Sequence, residues 1–115
     1  MSKSLGNVVR LRDALVQVDA EALRYFFLST HYRQQLAFSD KSLADAEMRM
    51  EYFYQTLARV DTRIASQAPE AGPYIGEPQR YLREFDVAMS DDFNFTLALG
   101  DLSALFAEMN ALLDK

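Results

Sequence analysis

Residues 39–68 read SDKSLADAEMRMEYFYQTLARVDTRIASQA, and this stretch decides the fold class. Its apolar side chains recur in alternating steps of three and four residues, at Leu43, Ala46, Met50, Phe53, Leu57, Val60 and Ile64. This spacing places them on one face of a long α-helix that packs against other helices. Ser39 or Asp40 is the expected N-cap, and Phe53 and Leu57 are expected to lie in the core.

Shorter helical patterns flank this helix. Residues 10–18 are expected to form a short helix, and Asp19 is a good N-cap for a second one that reaches about Thr30. A loop with three prolines and two glycines at 69–78 separates the long helix from two more, which are divided by a break at 90–94. The apolar side chains that define these last two helices are Tyr81, Leu82, Phe85, Ala88 and Met89, and then Ala98, Leu102, Leu105, Met109 and Leu112. No strand pattern is found, so the sequence predicts an all-α antiparallel helical bundle.

The bulk composition narrows the classes of function. The 115 residues suffice for one small domain, and the formal charge of −5 disfavours autonomous binding to nucleic acid. Because the chain has no cysteine and a single histidine, His31, we expect no metal site in it. No signal-peptide pattern and no apolar run of bilayer length is found, which favours a soluble cytoplasmic protein without a membrane partner.

The first seven residues, MSKSLGN, hold the candidate chemistry. They combine the ammonium of Lys3 with the hydroxyls of Ser2 and Ser4 and a glycine, a set that can close over phosphate groups. On composition alone, the alternative is an ordinary polar N-terminal tail.

The order of these residues resembles the second signature motif of the class I aminoacyl-tRNA synthetases, Lys-Met-Ser-Lys-Ser followed by Leu-Gly-Asn. The resemblance implies that Ser2, Lys3 and Ser4 bind ATP, which the enzyme uses with Mg²⁺. It also implies a catalytic role for Lys3, whose charge would stabilise the pyrophosphate leaving group during adenylation of the amino acid. The first lysine of the motif would precede Met1.

Three further stretches make the resemblance more specific. Residues 19–26, DAEALRYF, look like the Asp-Ala-Leu-Arg helix that names a helical domain of these enzymes. Residues 28–39, LSTHYRQQLAFS, and residues 85–94, FDVAMSDDFN, are similar to segments of the cysteinyl-tRNA synthetases. Within them, His31 is interpreted as a structural histidine rather than a general base, and Arg24 as a surface residue.

The resemblance also implies a domain organisation. Residues 1–10 would be the end of the catalytic signature loop, and residues 11–115 would form the helical domain of the Asp-Ala-Leu-Arg type, found as the anticodon-binding domain of class I synthetases. The catalytic domain of the same polypeptide, with its zinc site, would precede Met1, and a small anticodon domain would follow Lys115.

The expected function is that of a tRNA-supporting helical domain in a cysteine–tRNA ligase, which joins cysteine to its tRNA through cysteinyl adenylate using ATP. The isolated chain is expected to be inactive and to bind tRNA weakly. Two alternatives stay open at this point: the helical part of a paralogous ligase that joins cysteine to an amino sugar, and a free-standing helical interaction module.

Overall fold

The computed structural model describes residues 9–66 and 77–115, and within these ranges it contains five α-helices and no β-strand. The helices are α1 (Leu11–Gln17), α2 (Ala20–Leu28), α3 (Asp40–Ser66), α4 (Pro78–Ser90) and α5 (Phe95–Leu113). They account for 77% of the described residues, which confirms the predicted all-α class.

The helix boundaries follow local signals in the sequence. The Asp19 carboxylate accepts a hydrogen bond from the Glu21 N–H at 2.9 Å and so caps α2. The Asn94 side chain accepts one from the Leu97 N–H at 3.1 Å and caps α5. Pro78, predicted as the last residue of the loop, instead occupies the first turn of α4, where a missing N–H costs nothing. Residues 69–76 of the predicted loop lie outside the described residues. The predicted short helix, the Asp19 cap and the break at 90–94 are therefore confirmed.

Helix α2 packs antiparallel on the first half of α3. The Tyr54 hydroxyl of α3 donates to the Glu21 carboxylate near the start of α2, and the ring of Tyr25 lies 6.2 Å from that of Phe53. The buried apolar cluster that joins α1, α2 and α3 comprises Ala14, Val18, Leu23, Phe26, Leu43 and Ala46. This cluster fixes the segment between α2 and α3, because Leu36 and Phe38 pack against it.

Helices α4 and α5 form a second antiparallel hairpin, and α5 then packs parallel to α3. Arg80 near the start of α4 lies 3.6 Å from the carboxylate of Glu108 near the end of α5. The rings of Phe53 and Phe106 are 4.5 Å apart, which places the C-terminal half of α5 against the middle of α3. The predicted antiparallel packing thus holds for the two hairpins, whereas α3 and α5 run in the same direction.

The predicted apolar face of α3 is correct in its first half and wrong in its second. Leu43, Ala46 and Phe53 are buried, but Leu57 is 42% exposed and Ile64 is 68% exposed. Thr56, at 1% exposure, takes the inward position instead. A hydroxyl is tolerated at this buried position because it donates a hydrogen bond to the Tyr52 carbonyl at 2.9 Å. It also accepts a hydrogen bond from the side-chain amide of Asn110 on α5.

Helix α4 shows a similar difference from the prediction. Tyr81 and Ala88 are buried against α5, whereas Leu82 is 69% exposed and Phe85 is 47% exposed. Among the described residues α5 is the main packing partner of this helix, and it covers only the side that carries Tyr81 and Ala88.

Helix α5 is more apolar than the sequence analysis allowed. An 18-residue window of this helix reaches a mean hydropathy of 1.2, so by length and composition alone the helix would suffice to cross a membrane. In the fold the helix packs against α3 and α4 and carries the hydrogen-bonded Asn110, but only Ala98 and Phe106 of its side chains are buried. One weakly apolar helix of this kind does not indicate a membrane.

The overall shape is elongated. The radius of gyration is 17.8 Å and the principal extents are 63 × 31 × 18 Å, whereas a compact domain of this length has a radius of gyration near ~13 Å. The long α3 explains the difference, because it contacts α2 and α5 at different points along its length.

Candidate functional site

One polar cluster in the described residues joins two segments that are far apart in the sequence. The Asp92 carboxylate, in the turn between α4 and α5, accepts a hydrogen bond from the Tyr32 hydroxyl at 2.5 Å. It also accepts bonds from the Arg33 guanidinium, from Nε at 2.6 Å and from Nη2 at 3.3 Å. This two-point geometry is the strong form of an arginine–carboxylate pair. We call Tyr32, Arg33 and Asp92, together with His31, the Asp92 cluster.

The charges in this cluster stabilise one another. The hydrogen bond from Arg33, followed by the one from Tyr32, lowers the pKa of the Asp92 carboxyl below its usual value. The same bonds to Asp92 raise the pKa of the Tyr32 hydroxyl and of the Arg33 guanidinium. At neutral pH Asp92 is therefore an anion held by a cation and a protonated phenol.

His31 completes the cluster as a structural element. Its Nδ1 accepts the backbone N–H of Arg33 at 3.3 Å, and its ring stacks on Tyr32 with centroids 4.8 Å apart. Its Nε2 lies 3.9 Å from the Asp92 carboxylate. These contacts agree with the interpretation of His31 as a histidine satisfied by the fold.

A second polar network lies where α3 and α5 meet. The Asn110 amide donates to the Thr56 hydroxyl at 2.7 Å and to the Tyr52 hydroxyl at 3.2 Å. Its oxygen accepts from Arg59 at 2.5 Å, and Arg59 also pairs with Asp114 at 2.5 Å. Because donors and acceptors are satisfied together, this network fixes the register of α3 against α5.

The sequence-predicted ATP-binding residues Ser2, Lys3 and Ser4 lie outside the residues that the structure describes. Their assignment stays a prediction, as does the domain boundary at residue 10. An open groove of about 400 Å³ runs between α2 and α3. Its walls include Gln35, Asp45 and Arg49.

Nothing in the sequence indicated that the two segments of the Asp92 cluster meet. The periodicity of α5 also did not predict the buried Phe106, which is 8% exposed and lies one residue after the predicted core position Leu105. A run of aromatic residues on α3, at 52–54, was the available signal that α5 needed an aromatic partner there.

Known proteins match all or nearly all of this chain. A cysteine–tRNA ligase of Anaeromyxobacter sp. (strain Fw109-5) is 44% identical over 117 residues, which cover 100% of this chain and 23% of the relative. Those of Geobacter sp. (strain M21) and Geotalea uraniireducens (strain Rf4) are 42% and 40% identical over 96% and 100% of this chain, and 24% and 26% of the relatives. The family model for the class I (C) tRNA synthetase catalytic domain matches residues 1–48.

The chain is related over its whole length to a segment of the cysteine–tRNA ligases. The resemblance predicted from the sequence is thereby confirmed, and neither the amino-sugar ligase nor the free-standing interaction module finds support. The chain spans about a quarter of the length of the cysteine–tRNA ligases that it matches.

Proposed function

We propose that this chain is the helical, tRNA-supporting segment of a cysteine–tRNA ligase, an enzyme that joins cysteine to its tRNA through cysteinyl adenylate using ATP. The observation that carries the proposal is the 44% identity to a cysteine–tRNA ligase over the whole chain. The Asp92 cluster adds support, because it brings together two of the segments on which the resemblance rests. A cytoplasmic enzyme is the corresponding expectation.

The ATP contacts are assigned to the stretch at residues 2–4. The chemistry of this donor set fits phosphate, since one ammonium and two hydroxyls supply a point charge and hydrogen-bond donors. Lys3 is proposed to place its charge where negative charge develops on the leaving pyrophosphate, with Ser2 and Ser4 holding the loop around it. Magnesium would accompany ATP and screen its phosphates.

The contribution of the helices to tRNA binding is proposed to depend on the rest of the ligase. The chain has 12 basic residues against 17 acidic ones. Several of the arginines are paired with acids, namely Arg33 with Asp92, Arg59 with Asp114, Arg80 with Glu84 and Glu108, and Arg83 with Glu77. Because these pairs reduce the positive charge offered to phosphates, neighbouring domains would have to hold the tRNA close to the helices.

The role of Lys3 is tested by Lys3→Ala in a full-length ligase that contains this sequence. We expect adenylate formation to slow by roughly 10²- to 10³-fold, which is the usual cost of removing one donor that acts in the transition state. Rapid-quench measurement of cysteinyl adenylate gives the rate before tRNA enters the reaction.

Lys41→Ala is the matched control, because Lys41 is an exposed lysine in the first turn of α3. It should leave the rate of adenylation unchanged. Adenylate formation at the wild-type rate in the Lys3 variant would refute the role assigned to that residue. Failure of the unaltered full-length protein to form cysteinyl adenylate would refute the proposed function itself.

A further inference from the structure

Two separate connections hold α5 against the rest of the fold. Near its C-terminal end, the Phe53–Phe106 ring contact and the bonds from Asn110 to Thr56 fix it to α3. Near its N-terminal end, the polar contacts within the described ranges are the Asp92 cluster and a 3.4 Å bond from the Thr96 hydroxyl to the Ser29 carbonyl. The helix is thus anchored at one end by a buried core and at the other by an exposed ionic contact.

The two connections are far apart along α5, and the helix between them acts as a lever. Asn94 and Phe106 are twelve residues apart, or about 18 Å along a helix at 1.5 Å per residue. Helix α4 depends on the same connections, because its main packing partner in the described part of the chain is α5. Loss of the N-terminal connection would therefore leave α4 and α5 attached mainly at the Phe106 end.

The turn that carries Asp92 has an uncommon backbone. Asp92 and Phe93 have φ angles of 52° and 53°, in the left-handed region that L-residues seldom adopt. Aspartate and asparagine tolerate this region better than a bulky side chain such as phenylalanine. The side chain of Phe93 is also 62% exposed, so burial of its ring does not explain its conformation. Such conformations persist where the surrounding contacts impose them.

We propose that Asp92 is a latch that fixes the N-terminal end of α5, and α4 with it, against the His31–Arg33 segment. Removing the charge of Asp92 lets the α4–α5 hairpin pivot about its contact with α3. Exposed single ion pairs contribute little to stability, but a two-point arginine contact within a network restrains position more effectively. The latch stands on geometry alone and does not depend on the proposed ligase function.

The pivot is measured as a distance between two spin labels on the full chain. Because the chain has no cysteine, Glu47→Cys on α3 and Val87→Cys on α4 create the sole labelling sites. Asp92→Asn removes the charge while keeping a residue that accepts a positive φ. A swing of about 10° over the ~18 Å lever would move the turn by roughly 3 Å, so we expect the distance distribution to shift or broaden by at least that much.

Two further variants separate the latch from a general loss of charge. Arg33→Gln breaks the same contact from the other side and should produce the same change in the distances. Asp86→Asn removes an exposed carboxylate from α4 and should leave the distances as in the unaltered chain. Unchanged distances in both the Asp92 and Arg33 variants would overturn the proposal.

A reference pair of spin labels, placed within the hairpin of α2 and α3, tests whether a variant has unfolded. Labels at Arg24→Cys on α2 and Glu47→Cys on α3 report the α2–α3 packing, which lies on one side of the latch. This distance should stay constant in the Asp92→Asn variant, with unchanged helical content by circular dichroism. An equal disturbance of the reference pair, or loss of helical content, would show that Asp92 holds the whole fold and would also overturn the proposed pivot.

Discussion

Truncation of Phe53 tests the packing of α3 most directly. Phe53 is 5% exposed, and its ring lies 4.5 Å from Phe106 and 6.2 Å from Tyr25, so it contacts both neighbours of α3. Phe53→Ala removes a buried ring and leaves a cavity between three helices. We expect the free energy of unfolding to fall by about 3–5 kcal/mol, the usual range for such a change in a core.

Leu57→Ala is the matched control on the same helix, four residues further along. The periodicity of the sequence placed both residues in the core, but Leu57 is 42% exposed. A half-exposed leucine loses far less apolar contact, and we expect a loss of no more than about 1 kcal/mol. The two variants should therefore differ by at least about 2 kcal/mol.

Urea denaturation followed by circular dichroism at the helical band gives both values on one scale. The slope of the free energy against urea should be the same in both variants, since a changed slope would signal a changed unfolded or native state. A loss below about 1 kcal/mol at Phe53 would mean that its side chain faces solvent. Equal losses of about 3 kcal/mol at both positions would instead mean that Leu57 is buried, as the regular spacing of the sequence predicts. That result would refute the buried position of Thr56 in its place.

Three further predictions follow from the polar contacts and the charge. Asn110→Ala should lower the free energy of unfolding by about 1–3 kcal/mol, because it removes the bonds to Thr56 and Arg59, whereas Thr62→Ala on the exposed side of α3 should stay within about 0.5 kcal/mol in the same denaturation assay. The stability advantage of the wild type over Asp92→Asn should be present at neutral pH and shrink as the pH falls below the unfolded pKa of about 4. The pKa of the folded Asp92 carboxyl is lowered, so its contribution exists above the unfolded pKa and is lost as the pH falls through the folded one. An advantage that does not shrink on acidification would contradict this linkage. Titration of labelled cysteine tRNA with this chain should give a Kd no tighter than roughly 10⁻⁵ M near physiological salt, and submicromolar binding would show that the helices read RNA by themselves.

The sequence by itself determined where most helices begin and end. The Asp19 cap and the break at 90–94 act within about one helical turn, so they can be recognised without knowing the rest of the fold. The order of short motifs along the chain likewise sufficed to identify the cysteinyl-tRNA synthetase resemblance, because family motifs are local strings of residues.

The tertiary structure decided which side chains face one another. Thr56 is buried and Leu57 exposed because Asn110, 54 residues further along, offers the hydroxyl a partner on α5. Asp92 contacts Arg33, 59 residues away in the sequence, because the α2–α3 and α4–α5 hairpins pack with their connecting segments side by side. Periodicity gives the width of an apolar face but not its rotation toward a neighbour, and that rotation depends on every helix packed around it.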